Sequence, residues 1–232
     1  MDSSMQKDNA MKTSPALLLA LPLVFISASA QSQPSATLAQ LFHADMLNTN
    51  LRYFESHAGV ALESWGDRHT YRIDDCTLEV NAPGDRIGSL SVEVSDHCRS
   101  SLQSFLGESF SPDESRPLTF GNFAEHTGDF TFFADCLSGC GNAYDPSVYG
   151  FWEAPRALGF IQLRLEVKLV GDAAIDASST WEEAIRSARG EEYVLFNSFN
   201  CEDHFNPQAA AAFRDIPITR ITIGTHLQLP GC

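Results

Sequence analysis

The 232-residue chain is 44% apolar and carries 30 acidic against 15 basic side chains, a net charge of −15. That apolar share is enough for one sizeable core or two small ones. The charge sets the chain against nucleic acid and anionic lipid head groups, and toward solubility or a basic protein partner.

The first 30 residues read as a cleavable secretory signal peptide. Met11-Lys12 supplies a positive start, Ala16 to Ile26 an apolar middle, and Ser27-Ala28-Ser29-Ala30 the small residues of a cleavage site. The apolar run has 11 residues, too few for the ~20 of a spanning helix. No second long apolar stretch follows, so the expectation is a chain that does not span the membrane and is periplasmic or secreted. Its removal leaves 13 basic and 28 acidic side chains, again −15, with Lys168 the single remaining lysine.

All six cysteines lie beyond the leader: Cys76, Cys98, Cys136, Cys140, Cys201 and Cys232. An even number in an exported chain points to disulfides, and six allow 15 pairings. The favoured set is Cys76–Cys98, Cys136–Cys140 and Cys201–Cys232, the last pair being what remains.

Leu38, Leu41, Phe42, Leu47, Leu51 and Phe54 recur near helical spacing and predict one or two short helices ending at Gly59. Leu78 and Val80, then Leu90, Val92 and Val94, alternate with polar residues around the turn-rich Asn81-Ala82-Pro83-Gly84-Asp85, which predicts a β-hairpin with one buried face. Folding about Gly84 brings Cys76 and Cys98 to its open end, close enough to be bridged. Residues 107–117, rich in Ser, Pro, Asp and Glu, read as a loop or linker between a helix-plus-hairpin half, 31–106, and a second half, 118–232, in one domain or two.

In the second half, Leu118–Phe123 and Phe130–Ala134 are expected as strands. Ile161, Leu163, Leu165, Val167 and Leu169 alternate strictly with polar neighbours, the strongest strand pattern in the chain, wet on one side. Ser179-Thr-Trp-Glu182 matches a capping box and places a helix start there, with a stop at Gly190. Tyr193–Phe199 is expected as a strand, Asn206 to Phe213 as a short helix, and Thr219, Ile221 and Ile223 as the last strand. The fold class is therefore α+β, a largely antiparallel sheet with packed short helices and disulfide staples.

The order helix, Gly59-x-Ala61, Tyr71 and hairpin Cys76 to Val94 resembles the small helix-plus-hairpin unit of the BamE (SmpA/OmlA) lipoprotein family; tandem copies of a similar unit build the β-lactamase inhibitor protein family. The likeness covers residues 38–95, without the lipid-attachment cysteine and without a legible second copy in 118–232. It implies a binding or inhibitor module. The chain also resembles exported bacterial proteins with a Cys-Gly-Asn-x-x-Asp-Pro segment.

The loop Cys136 to Pro146 reads as a disulfide-braced turn. A ligand reading makes Asn142 and Asp145 polar contacts; a metal would need Cys136, Cys140 and two further ligands that no nearby pair supplies. Cys201-Glu202-Asp203-His204 reads as a polar loop. There is no G-x-S-x-G, H-E-x-x-H, P-loop, G-x-G-x-x-G or EF-hand pattern, so no catalytic residue and no cofactor is assigned. Phe151-Trp152 beside Pro155 is a candidate aromatic anchor for a partner. The functional expectation is an exported, non-enzymatic binding module of the bacterial cell envelope, an inhibitor or immunity-type factor. The alternatives are an exported hydrolase with unidentified catalytic residues and a small-ligand binder.

Overall fold

A computed structural model describes residues 36–137, 146–196 and 203–228, all within one compact unit. The signal-peptide expectation for residues 1–30 lies outside the described residues, as do Asn142, Asp145, Cys140, Cys201 and Cys232.

Two short helices open the described chain, α1 (Leu38–Leu41) and α2 (Leu51–Ala58). Asn50 caps α2 by accepting from the Arg52 amide at 2.9 Å, and Gly59 ends it at φ 82°, a left-handed value that glycine takes without a Cβ penalty. An antiparallel meander follows: β1 (Glu63–Trp65), β2 (Arg68–Ile73), β3 (Cys76–Asn81) and β4 (Ser89–Glu93). The β2–β3 turn is Asp74-Asp75, both at positive φ, the conformation a two-residue hairpin loop demands and Asp tolerates. The expected hairpin is β3–β4, with Leu78 opposite Val92 and Val80 opposite Leu90.

Next come α3 (Gln103–Leu106), α4 (Phe120–Thr127), β5 (Thr131–Ala134), β6 (Ser147–Glu153) and β7 (Gln162–Lys168). The chain closes with α5 (Asp172–Arg189), α6 (Glu191–Phe196), α7 (Asn206–Phe213) and β8 (Arg220–Gly224). All eight strands form one antiparallel sheet in the order β1-β2-β3-β4-β8-β7-β6-β5. The last strand in sequence thus sits in the middle and joins the two meanders on either side of residues 107–117. Among the described residues no helix is long and apolar enough to cross a membrane.

Three local expectations are corrected. Phe120–Phe123, expected as the end of a strand, start helix α4: Thr119 caps it through the Asn122 amide, and Phe120 and Phe123 share a helical face at i, i+3. A short apolar run does not distinguish strand from helix by period. The start of Tyr193–Phe199 belongs to α6, where Glu191 and Glu192 fill the first turn and favour the helix dipole over the strand propensity of the residues that follow. Helix α5 begins at Asp172, seven residues before Ser179. Its alanine-rich start at Ala173, Ala174 and Ala177 propagates helix through the capping-box motif, and the Thr180 hydroxyl donates back to the Asp176 carbonyl.

The sheet has an apolar and a polar face. Tyr71, Leu78, Val92, Ile221, Leu165, Gly150 and Phe132 sit on the first, where Phe54 of α2 meets Tyr71 and Phe120 of α4 and Trp181 of α5 meet Phe132. Gly150 is where Phe120 comes closest: a Cβ there would lie 2.5 Å from the ring. The polar face carries a charged row across the strands. Arg220, 20% exposed, reaches Glu93 at 2.7 Å, Glu166 at 3.6 Å and Glu79 at 3.7 Å. Arg68 extends the row from Glu79, and Ser147 donates to Glu166 at 2.8 Å. The polar side of β7 is therefore not wet throughout: Glu166 is buried beneath this network.

Candidate functional site

The most exposed large aromatic of the described chain is Trp65, 83% exposed, in the edge strand β1. Strand β1 pairs only with β2, and the tight turn after Trp65 uses Gly66 at φ 59°. Val60 and Leu62, 89% and 69% exposed, lie in the same six-residue stretch. The opposite edge is managed differently: the Phe132 amide of β5 donates to the Asn206 side chain at the start of α7. The backbone of β1 has no such cover among the described residues. A bare edge with an exposed tryptophan offers ladder hydrogen bonds and an aromatic anchor together.

A cavity of about 320 Å³ opens at the end of the sheet where β4 stops and β8 begins. Three segments wall it: 94–102, 112–118 and 217–221. Leu102, Pro112, Ile218 and Ile221 form a buried apolar floor, while Asp96, Arg99, Glu114 and Arg116 stand exposed at the mouth. The walls are tied down. The Val94 amide donates to the Thr219 carbonyl and the Ile218 amide to Leu118, both at 2.8 Å. Cys76–Cys98 is a disulfide, as expected, with the two Cα atoms 5.5 Å apart, and it pins the middle of segment 94–102 to β3. Asp113 braces the 112–118 loop by accepting from the Ser115 amide, a bond that holds its carboxyl below the ordinary range. A second hollow, about 300 Å³, lies around Arg72, Lys168 and Arg220; its lining is polar and Arg220 is already committed to Glu93.

The residues singled out from sequence fall apart in space. Trp152 is 7% exposed: its indole N–H donates to the Thr127 carbonyl at 2.9 Å and its ring lies against Phe110, so its area is spent inside the fold. Phe151 points to the polar face and is half-buried. Cys136 is disulfide-bonded, and Asn142 and Asp145 lie outside the described residues. Trp65 was not singled out; its signal was a lone large aromatic amid the polar Glu63-Ser64 and Gly66-Asp67-Arg68.

Ser64 and His69 lie 2.9 Å apart across β1 and β2, a serine–histidine contact of the kind hydrolases use. The pair is on the surface, and no carboxylate orients the ring among the described residues, so it reads as a strand-pair hydrogen bond. No group of three or more metal-ligating side chains gathers among the described residues. Two tyrosines are perturbed. Burial, then the charge of Glu55, pushes Tyr71 up to about 12; burial, then the charges of Glu166 and Asp135, raises Tyr149. Neither lines either of the two hollows described above. No family model, no curated protein and no solved structure matches the chain.

Proposed function

We propose that the chain is an exported, non-enzymatic binding module of the bacterial cell envelope that docks a basic protein partner along the β1 edge, as an inhibitor or immunity-type factor. The observation that carries this reading is Trp65, 83% exposed on an uncovered edge strand. Exposing an indole to water is unfavourable unless something covers it, and tryptophan is the residue most enriched at interface hot spots. An extended segment of the partner would add a strand to β1 through backbone hydrogen bonds, with Trp65 and Leu62 as side-chain contacts. The net charge of −15 favours encounter with a basic protein. The apolar leader at 16–26 and the Cys76–Cys98 disulfide support an exported, oxidising setting. The order of α1 and α2 before the β2–β3–β4 meander supports binding rather than catalysis, as the resemblance of residues 38–95 implies.

A photo-crosslinking amino acid placed at position 65 in the native host tests this. The expected result is one discrete adduct to a basic envelope protein, weakened by Leu62→Asp and by raised salt. An adduct pattern at 65 no different from that at the exposed control position 175 would refute the reading.

A further inference from the structure

We infer that the cavity at the end of the sheet is a binding site for a small apolar molecule bearing a carboxylate. This inference is independent of the β1 edge and of any protein partner.

The size and lining point to a small organic ligand. About 320 Å³ is at the low end of ligand pockets, and such pockets combine an apolar lining with a few placed polar groups. The floor of Leu102, Ile218 and Ile221 is at most 3% exposed, so an apolar body seated there meets a wall already inside the core. The walls are stiff before any ligand arrives. Pro112, Pro117 and Pro217 line the cavity, the disulfide ties Cys98 to β3, and Asn122 donates to the Pro117 carbonyl. Preformed walls spare a ligand the cost of ordering them.

The polar groups point to an anion. Ser100 lines the cavity, and its hydroxyl is buried without a hydrogen-bond partner among the described residues. An unmade bond of that kind costs about 1–3 kcal/mol, which a ligand oxygen would recover. At the mouth, Arg99 and Arg116 each hold one carboxylate loosely. Arg99 lies 3.5 Å from Asp96, which is 93% exposed, and Arg116 lies 3.3 Å from Glu125. Such exposed pairs contribute little, so either guanidinium can turn to a ligand at small cost. A carboxylate accepting a two-pronged guanidinium bond, with its apolar part on the floor, is a better partner than either surface acid. Asp96 and Glu114 at the same mouth repel a second negative charge, which favours a monoanion.

Three probes with one body and different heads separate these contributions: 4-phenylbutyrate, 4-phenylbutanol and 4-phenylbutylamine, titrated by calorimetry into the full mature chain. The acid is expected to bind at least about tenfold tighter than the alcohol or the amine. Arg99→Gln with Arg116→Gln, both surface positions, should bring the acid down to the alcohol while leaving the melting temperature unchanged. Leu118→Trp, which fills the mouth side of the half-buried wall, should remove binding of all three. Equal binding of acid and alcohol, an arginine double variant that binds the acid as the parent does, or no heat from the acid at millimolar concentration would each overturn the inference. A site real for apolar molecules but indifferent to charge would show as the first of these.

Discussion

Replacing Cys76 and Cys98 together by alanine probes the one covalent link that both the β3–β4 hairpin and the cavity wall depend on. The two residues are 22 apart in sequence. On the chain-entropy account, closing a loop of that length removes about 3.4 kcal/mol of freedom from the unfolded chain. Both cysteines are buried, at 1% and 8% exposure, so alanine leaves only small voids and the entropic effect dominates. Urea unfolding followed by tryptophan fluorescence should therefore show a loss of about 3 kcal/mol. The slope with denaturant should rise, because the unlinked chain exposes more surface. For a unit of this size the melting temperature should fall by roughly 6–12 °C. Amide exchange should accelerate most in residues 94–102, which the disulfide anchors. The measurement must be made without reductant, since Cys136 is also disulfide-bonded. A loss below about 1 kcal/mol, with the denaturant slope unchanged, would refute the reasoning: strand pairing alone would then hold the segment.

Three further outcomes follow from the packing. Gly150→Ala should cost about 1–3 kcal/mol, because the new methyl would lie 2.5 Å from Phe120 and 3.2 Å from Phe130, rings fixed in an aromatic cluster; Phe120→Leu in the same chain should recover part of it in a thermal melt. Arg220→Leu should cost about 2–3 kcal/mol, below the ~3–5 of a fully buried pair, since Glu79, Glu93 and Glu166 lose their shared cation, whereas Arg68→Leu, 66% exposed, should cost less than about 1 kcal/mol in the same denaturation assay. Tyr71 should ionise only near pH 12 in an ultraviolet titration; its folded value lies above the unfolded one, so its contribution is fully present below pH 10 and is lost as pH rises through about 12, and Tyr71→Phe, which removes a buried hydroxyl with no partner among the described residues, should abolish that step with stability unchanged or raised.

What the sequence made legible was local. The β3–β4 hairpin could be read because period-2 alternation, a Pro-Gly-Asp turn and two flanking cysteines agree within one short stretch. Strand β7 could be read from five alternating aliphatic residues. Strand β2 could not, because Arg68-His69-Thr70-Tyr71-Arg72-Ile73 puts only Tyr71 and Ile73 into the core and leaves His69, on the same face, part-exposed near the sheet edge. Helices α4 and α6 were misread because aromatic and branched residues suit both states when runs are short, and the deciding features were a threonine cap and a pair of glutamates. The site was harder still. Phe151 and Trp152 look alike in sequence, yet neighbouring strand residues face opposite ways, so Trp152 entered the core and Phe151 did not. The cavity has no sequence signature, since its floor joins Leu102 to Ile221 and its mouth joins Arg99 to Arg116.

The central position of β8 explains why so much converges there. Ser91 of β4 and Thr222 of β8 meet by hydrogen bond although they lie 131 residues apart. Pairings of such separation form late, because the chain must surrender loop freedom before it gains the contact. The β2–β3–β4 meander and its disulfide, by contrast, close within the span 68–98, so they can form while the rest of the chain is still open. When β8 then inserts between β4 and β7, one event does three things. It brings Arg220 among the three glutamates, sets Ile218 and Ile221 as the cavity floor, and joins the two meanders into one sheet. A ligand that seats on that floor recognises only the completed sheet, so any molecule the cavity binds should stabilise the β4–β8–β7 joint before it affects the β1 edge at the far side.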